Sequence, residues 1–555
     1  DDEPALNQRF VNRYGFSNQK TYDGLDVLMP RLSFKYDPQE WISIGGGIGL
    51  FSGGIPDVFI SNRFSNTGVL TNAIDLQRRG TLGTATEACI DAGSNTFYSL
   101  ATCDALLNIN KADATFNVGV PAAATPLLAV DSPARRTAET NSLAQNFEMP
   151  SDWKGNLSFK LDAPSGWRFG VDIVASQSNE AVAFRDIRAR PLTVNGVQQY
   201  TPDGRIRYDG LVISGASAAA IRSNRITAGL PTSAEDDLLN LGNSRDIQAY
   251  NPGETSWSRT LALSASKTFE SINFDLSAAL ILQDASNFGT ITEFATTDSG
   301  FYGDQFSAYD PNTSVKGRAS NEIENQFKLS GTWTQNFFGE LASRFTLFAE
   351  SRAGRPFSFV MTDAAGSSRG PVFGVNRGDQ LLYVPNVDAP DAGNPLKFVS
   401  PQGATVFFAD AATLANFTSI VREWGLPANQ ITPKGYGDNP RINQVDFQFD
   451  QELPGFLSGH RTHLTFDVKN LLNLVNDNWG LVREYGDSRG GTGNRVVSVQ
   501  CADASGTALD ASNALSCPAY RYSSFNSGAG AVGSNAPNID TSSRWYVQVG
   551  LKYQF

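Results

Sequence analysis

The sequence has 555 residues, 18% charged and 41% hydrophobic, with 51 Gly, 36 Phe, 3 Met and a net charge of −12. At about 150 residues per domain the length would suggest three or four domains, but large all-β barrels break that prior. The negative charge opposes a nucleic-acid-binding surface, two His and four Cys leave little for imidazole or thiolate chemistry, and no run approaches the ~18 apolar residues of a membrane-spanning helix. The first residue is Asp1, with no initiator Met and no signal peptide, as expected of a mature chain or a fragment.

In chain order, the first clear elements are segments in which apolar and polar residues alternate with period two, the mark of strands with two different faces. Leu32, Phe34 and Tyr36 share one face, and Arg31, Ser33 and Lys35 the other. A turn at Asp37-Pro38-Gln39-Glu40 leads to Ile42, Ile44, Ile48 and Leu50, spaced by Ser43 and glycines. A second hairpin carries Leu157, Phe159 and Leu161, turns at Pro164-Ser165-Gly166 and returns with Phe169, Val171 and Ile173. A third runs from Trp257 to Phe269 and returns with Phe274, Leu276, Ala278, Leu280 and Leu282. A fourth joins Phe327, Leu329 and Trp333 to Phe345, Leu347 and Ala349 across Phe337-Phe338-Gly339-Glu340. A fifth pairs 441–451 with 461–472, and the last strand, 543–555, alternates Trp545, Val547, Val549, Leu551, Tyr553 and Phe555 with polar residues.

Between the hairpins lie long polar stretches at about 53–153, 188–253, 297–320, 362–440 and 487–541. One end of the sheet therefore has short turns and the other has long connections, an asymmetry of bacterial outer-membrane barrels. Aromatics cluster at the short turns (Tyr36, Trp41, Trp167, Phe269, Phe337, Phe338 and Phe456), where an interfacial girdle belongs. The expected fold is all-β: an antiparallel transmembrane β-barrel wall with long extracellular loops. The competing reading is a soluble β-sandwich, whose apolar faces would meet in a core. Asp410 is expected to cap a helix over 411–424 with Leu414, Phe417, Val421 and Trp424 on one stripe, and Ser233 to open a short helix through Leu241. Residues 74–150 read as an ordered but irregular loop.

The cysteines form two local pairs, Cys89 with Cys103 and Cys501 with Cys517, in polar surroundings without zinc-site spacing. Two loop-closing disulfides are the simplest reading, against four unrelated buried thiols.

Three signatures resemble one family. The alternating tail ending in Tyr553 and Phe555 resembles the C-terminal signal read by the barrel-assembly machinery. Val468-Lys469-Asn470-Leu471-Leu472-Asn473 resembles the Asn-Leu-Phe-Asp/Asn element of the penultimate strand of TonB-dependent receptors. Ser351-Arg352-Ala353-Gly354-Arg355-Pro356-Phe357-Ser358 resembles their Ser-Gly-Arg-Pro-Phe/Tyr stretch. The opening Arg13-Tyr14-Gly15-Phe16, Gly24-Leu25-Asp26 and Arg31-Leu32-Ser33-Phe34 is similar to the Oar-like branch. The resemblance implies a barrel of about 22 strands closed by an N-terminal plug, and TonB-dependent active uptake across the outer membrane. Energy would come from the TonB–ExbB–ExbD complex, and the cargo would be an iron chelate, cobalamin, a carbohydrate or a peptide.

The sequence departs from that pattern in lacking a plug and a TonB box. Counting back from Phe555 predicts about eleven strands: 542–555, 460–486, 441–452, 343–362, 321–336, 272–296, 254–269, 167–187, 154–163, 41–52 and 27–36. An odd count puts the two ends of the chain on opposite sides of the membrane. Residues 1–26 are thus expected to begin in an extracellular loop, and 27–555 to form the C-terminal half of the barrel. Because lipid tolerates no open sheet edge, the first and last strands are expected to pair with an N-terminal plug-and-barrel fragment of the same receptor.

Individual residues offer little chemistry. His460 and His463, three apart on a strand, fall on opposite faces and cannot share a metal. Asp388–Asn394 has oxygen ligands without EF-hand spacing, and 486–493 is Gly-rich without a P-loop Lys. Arg355 is the candidate for a lumen-facing ligand contact, set against pairing with a carboxylate of the barrel or plug. No catalytic arrangement and no cofactor is expected, so the chain reads as no enzyme. A passive porin and an adhesive surface protein anchored by the barrel stand as alternative functions.

Overall fold

The computed structural model describes residues 3–53, 63–69, 76–78, 89–91, 96–98, 139–210, 218–230, 245–288, 307–363, 370–375, 379–457, 459–485, 493–509, 514–528, 531–532, 538–539 and 541–555. Eleven strands lie side by side in sequence order. They are β1 (Arg31–Gln39), β2 (Ile42–Ser52), β3 (Ser151–Asp162), β4 (Trp167–Glu180), β5 (Trp257–Phe269) and β6 (Phe274–Asn287). The row continues with β7 (Asn325–Phe338), β8 (Leu341–Arg352), β9 (Ile442–Pro454), β10 (Arg461–Lys469) and β11 (Tyr546–Gln554). Every neighbouring pair is antiparallel. The two-residue strand Gly317–Arg318 extends the sheet beside β6.

The turns are tight because the sequence supplies residues that accept a left-handed backbone. Gly166, Asn273, Gly339 and Gly459 sit in four of the five short turns with φ of 81°, 50°, 70° and 85°. The other connections cover 53–150, 181–256, 288–324, 353–441 and 470–545, so the predicted division into a short-turn end and a long-loop end is present.

Register carries the alternation across the sheet. One row reads Tyr36, Ile44, Phe159, Val171, Leu263, Leu280, Phe327 through direct cross-strand pairs. A second reads Trp333, Phe345, Phe449, Phe466, Val549. The opposite face pairs Ser43 with Lys160, Ser158 with Asp172, Ser277 with Ser330, Thr346 with Gln448 and His463 with Lys552. A one-residue slip in any strand would put its apolar set among these polar groups, which is what pins the register.

All eleven predicted strands are present, but several stop earlier than expected. The segment 460–486 ends as a strand at Lys469, because Asn470 adopts φ 51° and starts the short helix Leu471–Val475. The segment 343–362 splits in two. β8 ends at Arg352, and Pro356–Asp363 leaves the wall for another sheet. Gly354 explains the corner: it crosses the backbone of Asn439 so closely that a Cβ would strike that residue's carbonyl. Similarly 167–187 ends at Glu180 and 272–296 at Asn287 within the described residues.

The long connections are folded. A seven-stranded sheet combines Asp379–Leu381, Pro356–Asp363, Lys397–Val399, Thr405–Phe408 and Gly437–Asp438 from the connection after β8 with Gly493–Ala502 and Ala519–Phe525 from the connection after β10. The expected helix is present as Ala411–Trp424, with the Asp410 carboxylate accepting from the Thr413 amide. It buries Phe417, Ile420 and Val421 against Phe408 and Tyr522. This core also takes in Leu192, Tyr208 and Leu230 from the connection after β4. The helix expected over 233–241 lies outside the described residues, as does most of 74–150.

Candidate functional site

Two surfaces can meet a ligand or a partner: the folded long loops and the wall. Buried arginines hold the loops together. Arg207 is fully buried and donates to the carbonyls of Pro371, Val372, Ala514 and Leu515. One guanidinium thus ties three separate connections together, filling its fixed fork of donors with backbone acceptors. Burial, partly offset by Asp363 and Tyr520, pulls its pKa down to about 10, which leaves it charged at neutral pH. Beside it Arg205 pairs with Asp203 at 2.9 Å, and the Tyr520 hydroxyl donates to the same carboxylate at 2.7 Å. Burial, with the Asp203 charge next, lifts the Tyr520 phenol well above its ordinary value, so it stays a donor.

Asp246 is a second hub. Arg188 grips it with two nitrogens at 3.0 and 2.7 Å, Arg13 donates at 2.9 Å and the Tyr14 hydroxyl at 2.6 Å. Burial works to raise this carboxyl, but Arg188, its hydrogen bonds and Arg13 outweigh burial and hold it below the usual range. Arg13 and Tyr14 close the helix α1 (Gln8–Tyr14), which Asn7 caps through the Phe10 amide. The leading segment is thereby fastened to the long-loop end of the sheet.

Cys501 and Cys517 are joined in a disulfide, which fixes the hairpin that presents Ala514 and Leu515 to Arg207. The expected Cys89–Cys103 pair involves Cys103, outside the described residues. Arg355 is exposed at the corner after β8, and its carbonyl accepts from the Asn439 backbone and side-chain amides at 3.0 and 2.8 Å. No ion pair to the Arg355 guanidinium occurs among the described residues. Gly354, next to it, makes the corner, and Phe357 of the same motif packs on Trp424 in the loop core.

The other candidates resolve into ordinary structure. His460 meets the Tyr553 hydroxyl at 2.8 Å, while His463 meets Asp450 at 3.2 Å. Asp388 pairs with Arg422 at 2.7 Å; Asp391 accepts from the Gly393 amide and pairs with Lys397 at 3.4 Å. No group of three metal-binding side chains occurs among the described residues. The Gly-rich stretch at 486–492 lies outside the described residues. Within the family-like element at the end of β10, the Asn470 side chain donates to the carbonyls of Gly480 and Ser543, and Asn473 to those of Asp477 and Trp479. Both asparagines brace the exit of the strand.

The wall has two chemically distinct faces. The polar face carries a half-exposed network in which Arg344 bridges Asp450 at 3.0 Å and Glu452 at 2.8 Å, with Lys469–Asp446 at 2.9 Å beside it. Such pairs contribute about 0–1 kcal/mol each and mainly set the polarity of the surface. The apolar face is uncovered: Leu32 is 71% exposed, Val549 65% and Leu551 72%. Trp153 and Trp257 stand on that face at the long-loop end, the exposed Trp545 lies just before β11, and Trp41, Phe337, Phe338 and Phe456 mark the short-turn end. β5 has 13 residues. At ~3.4 Å per residue and a tilt of ~40° that is a height of roughly 30 Å, enough to cross a hydrocarbon layer. No described helix is long and apolar enough to do so. β1 and β11 each have one strand neighbour among the described residues.

The buried arginines and Asp246 were not found from the sequence. The alternation in Arg205-Ile206-Arg207-Tyr208 is a faint strand signal, and nothing local shows that its acceptors lie at 371–372 and 514–515.

No family model and no curated protein matches this sequence. Among solved structures, the chain is similar to the outer membrane transporter YddB from Escherichia coli, at 9% identity and a TM-score of 0.36, over 80% of this chain and 37% of that one. It thus spans well under half of that transporter's length.

Proposed function

We propose that this chain forms about half the wall of a bacterial outer-membrane β-barrel that takes up a ligand actively, in the manner of TonB-dependent receptors of the Oar-like branch. The observation that carries the reading is the uncovered apolar belt running across eleven antiparallel strands, backed by a polar face. A soluble sandwich would bury that belt against a second layer; the folded loops instead gather beyond one end of it. The folded long loops capture cargo outside, and the polar face lines the lumen. A plug-bearing N-terminal fragment of the same receptor supplies the remaining wall and the contact with TonB–ExbB–ExbD. The reading assigns the chain no catalytic step.

The test uses one strain lacking this protein and one lacking TonB, each profiled on iron chelates, cobalamin, glycans and peptides as sole sources. Loss of growth on the same source in both strains supports active uptake. Loss in the first strain alone points to a passive pore, and loss in neither, with surface attachment impaired, points to an adhesin.

A further inference from the structure

Charge is rare on the apolar face of the wall. Along the regular ladder of the eleven strands it is limited, among the described residues, to Arg259, Lys267 and Asp284. Lys267 stands at the short-turn end, over the rings of Trp167 and Phe269 at 5.7 and 5.1 Å. Arg259 and Asp284 are placed differently. They lie directly opposite one another on β5 and β6, between the girdle residue Trp257 and the aliphatic pair Leu261 and Leu282. Leu263, at the middle of β5, is four residues further along, so the two charges sit roughly 10 Å from the midline of the sheet, inside the edge of an apolar band ~25 Å tall. A charge on a lipid face at that depth is costly and calls for a partner.

Both side chains are exposed. Arg259 stacks on Trp257 at 4.7 Å, and neither it nor Asp284 closes an ion pair with the other or with any further described residue. The nearby cation Arg318 is already taken, by Glu322 and Asp438 at 2.6 Å each. A groove of about 740 Å³ opens here, with Ile173, Leu261 and Leu282 as its apolar lining and Arg259, Asp284 and Glu324 among its polar lining. That size falls within the ~300–1,000 Å³ of small-ligand sites. An aliphatic surface thus meets an unpaired cation and an unpaired anion side by side.

We infer that this groove seats a lipid whose headgroup joins a phosphate to a primary ammonium, as in phosphatidylethanolamine. The phosphate accepts from the Arg259 guanidinium, whose planar fork matches its oxygens. The ammonium donates to the Asp284 carboxylate, and the start of the acyl chains lies on Ile173, Leu261 and Leu282. A headgroup with a phosphate and no cation would satisfy Arg259 and set a second anion against Asp284. A quaternary ammonium would bring the charge without an N–H for the carboxylate.

The test titrates the delipidated assembly, purified from native membranes in detergent, with phosphatidylethanolamine, phosphatidylglycerol and phosphatidylcholine, and counts bound lipid by native mass spectrometry. The expected result is a site that prefers phosphatidylethanolamine over the other two by about tenfold, the worth of one hydrogen bond to a charged group. Asp284→Asn should remove that preference, Arg259→Gln should weaken binding of all three lipids, and Lys267→Gln should do neither. Equal binding of the three, a preference for phosphatidylglycerol, or a preference that survives Asp284→Asn would overturn the inference. A density map of the unaltered assembly with phosphatidylethanolamine added needs no variant: a headgroup between Arg259 and Asp284 is expected, and a groove without one would overturn it. This inference rests on the membrane-wall reading. A protein that leaves the membrane without detergent sinks that reading, whereas one that needs detergent and shows no lipid preference sinks the inference alone.

Discussion

Placing one arginine on either face of the same strand separates a lipid-facing wall from every soluble alternative. Leu280 lies near the middle of β6 on the apolar face, between Leu263 and Phe327, and is 37% exposed. Ser277 lies three residues away on the polar face, between Ser266 and Ser330. If the apolar face meets lipid, Leu280→Arg puts a guanidinium near the bilayer midplane at a cost of about 2–4 kcal/mol. At 1.4 kcal/mol per tenfold, that is roughly a 30- to 700-fold loss in the equilibrium for the folded, inserted state. Ser277→Arg stays on the polar face among serines and is expected to change that equilibrium by less than about threefold, within the ±0.5 kcal/mol of ordinary surface substitutions. The assay is the fraction of the whole assembly that stays in the folded, heat-modifiable form after extraction, with urea resistance in vesicles as the second measure. Equal losses for the two variants, or a larger loss for Ser277→Arg, would refute the assignment of faces. Val549→Arg against Gln548→Arg repeats the comparison at the edge strand.

Three other outcomes are expected. The Asp246 carboxyl is held below its unfolded value, so its contribution to stability is complete above about pH 4 and disappears as pH falls through the folded value. The protection of residues 3–25 against hydrogen exchange, taken relative to the intrinsic rate at each pH, should therefore fall as the pH drops below about 4, and Asp246→Asn should lower it at pH 7, because removing one charge from a buried ion pair costs about 3–5 kcal/mol; protection unchanged in both would count against the hub. Gly354→Ala should lower the thermal midpoint of the assembly, by about 1–3 kcal/mol of stability, because the new Cβ meets the Asn439 carbonyl; an unaltered midpoint would show that the crossing can relax. Replacing Cys501 and Cys517 with serine should cost the outer-loop unit about 3 kcal/mol, through a closed loop with a sequence separation of 16, seen as faster proteolysis within 493–525; no change in cleavage would mean that Arg207 and the sheet hold the hairpin without it.

The strands were legible in the sequence because the two faces of the sheet ask for opposite residues at every second position. Tyr36, Leu157, Leu263 and Val549 each sit in a local alternation that needs no partner to be recognised. The turn glycines, the Asp410 cap and the Phe417–Val421 stripe were legible for the same reason: their signals span a few residues. The ends of strands were harder. Lys469 and Arg352 end theirs because Asn470 turns left-handed and Gly354 passes under Asn439, and the second cause lies 85 residues away in the chain.

By itself, then, the sequence determined an antiparallel meander of eleven two-faced strands, its short-turn and long-loop ends, and the local cysteine pair Cys501–Cys517. Only the tertiary structure decided what the long loops do. Arg207 looks like one more charge in a polar stretch until Pro371, Val372, Ala514 and Leu515 converge on it. Asp246 looks like a solvated carboxylate until Arg13, Tyr14 and Arg188 close around it. The physical reason is range. Strand alternation is imposed by the environment on each face, residue by residue, whereas a buried polar group is tolerated only when donors and acceptors far apart in the chain meet it.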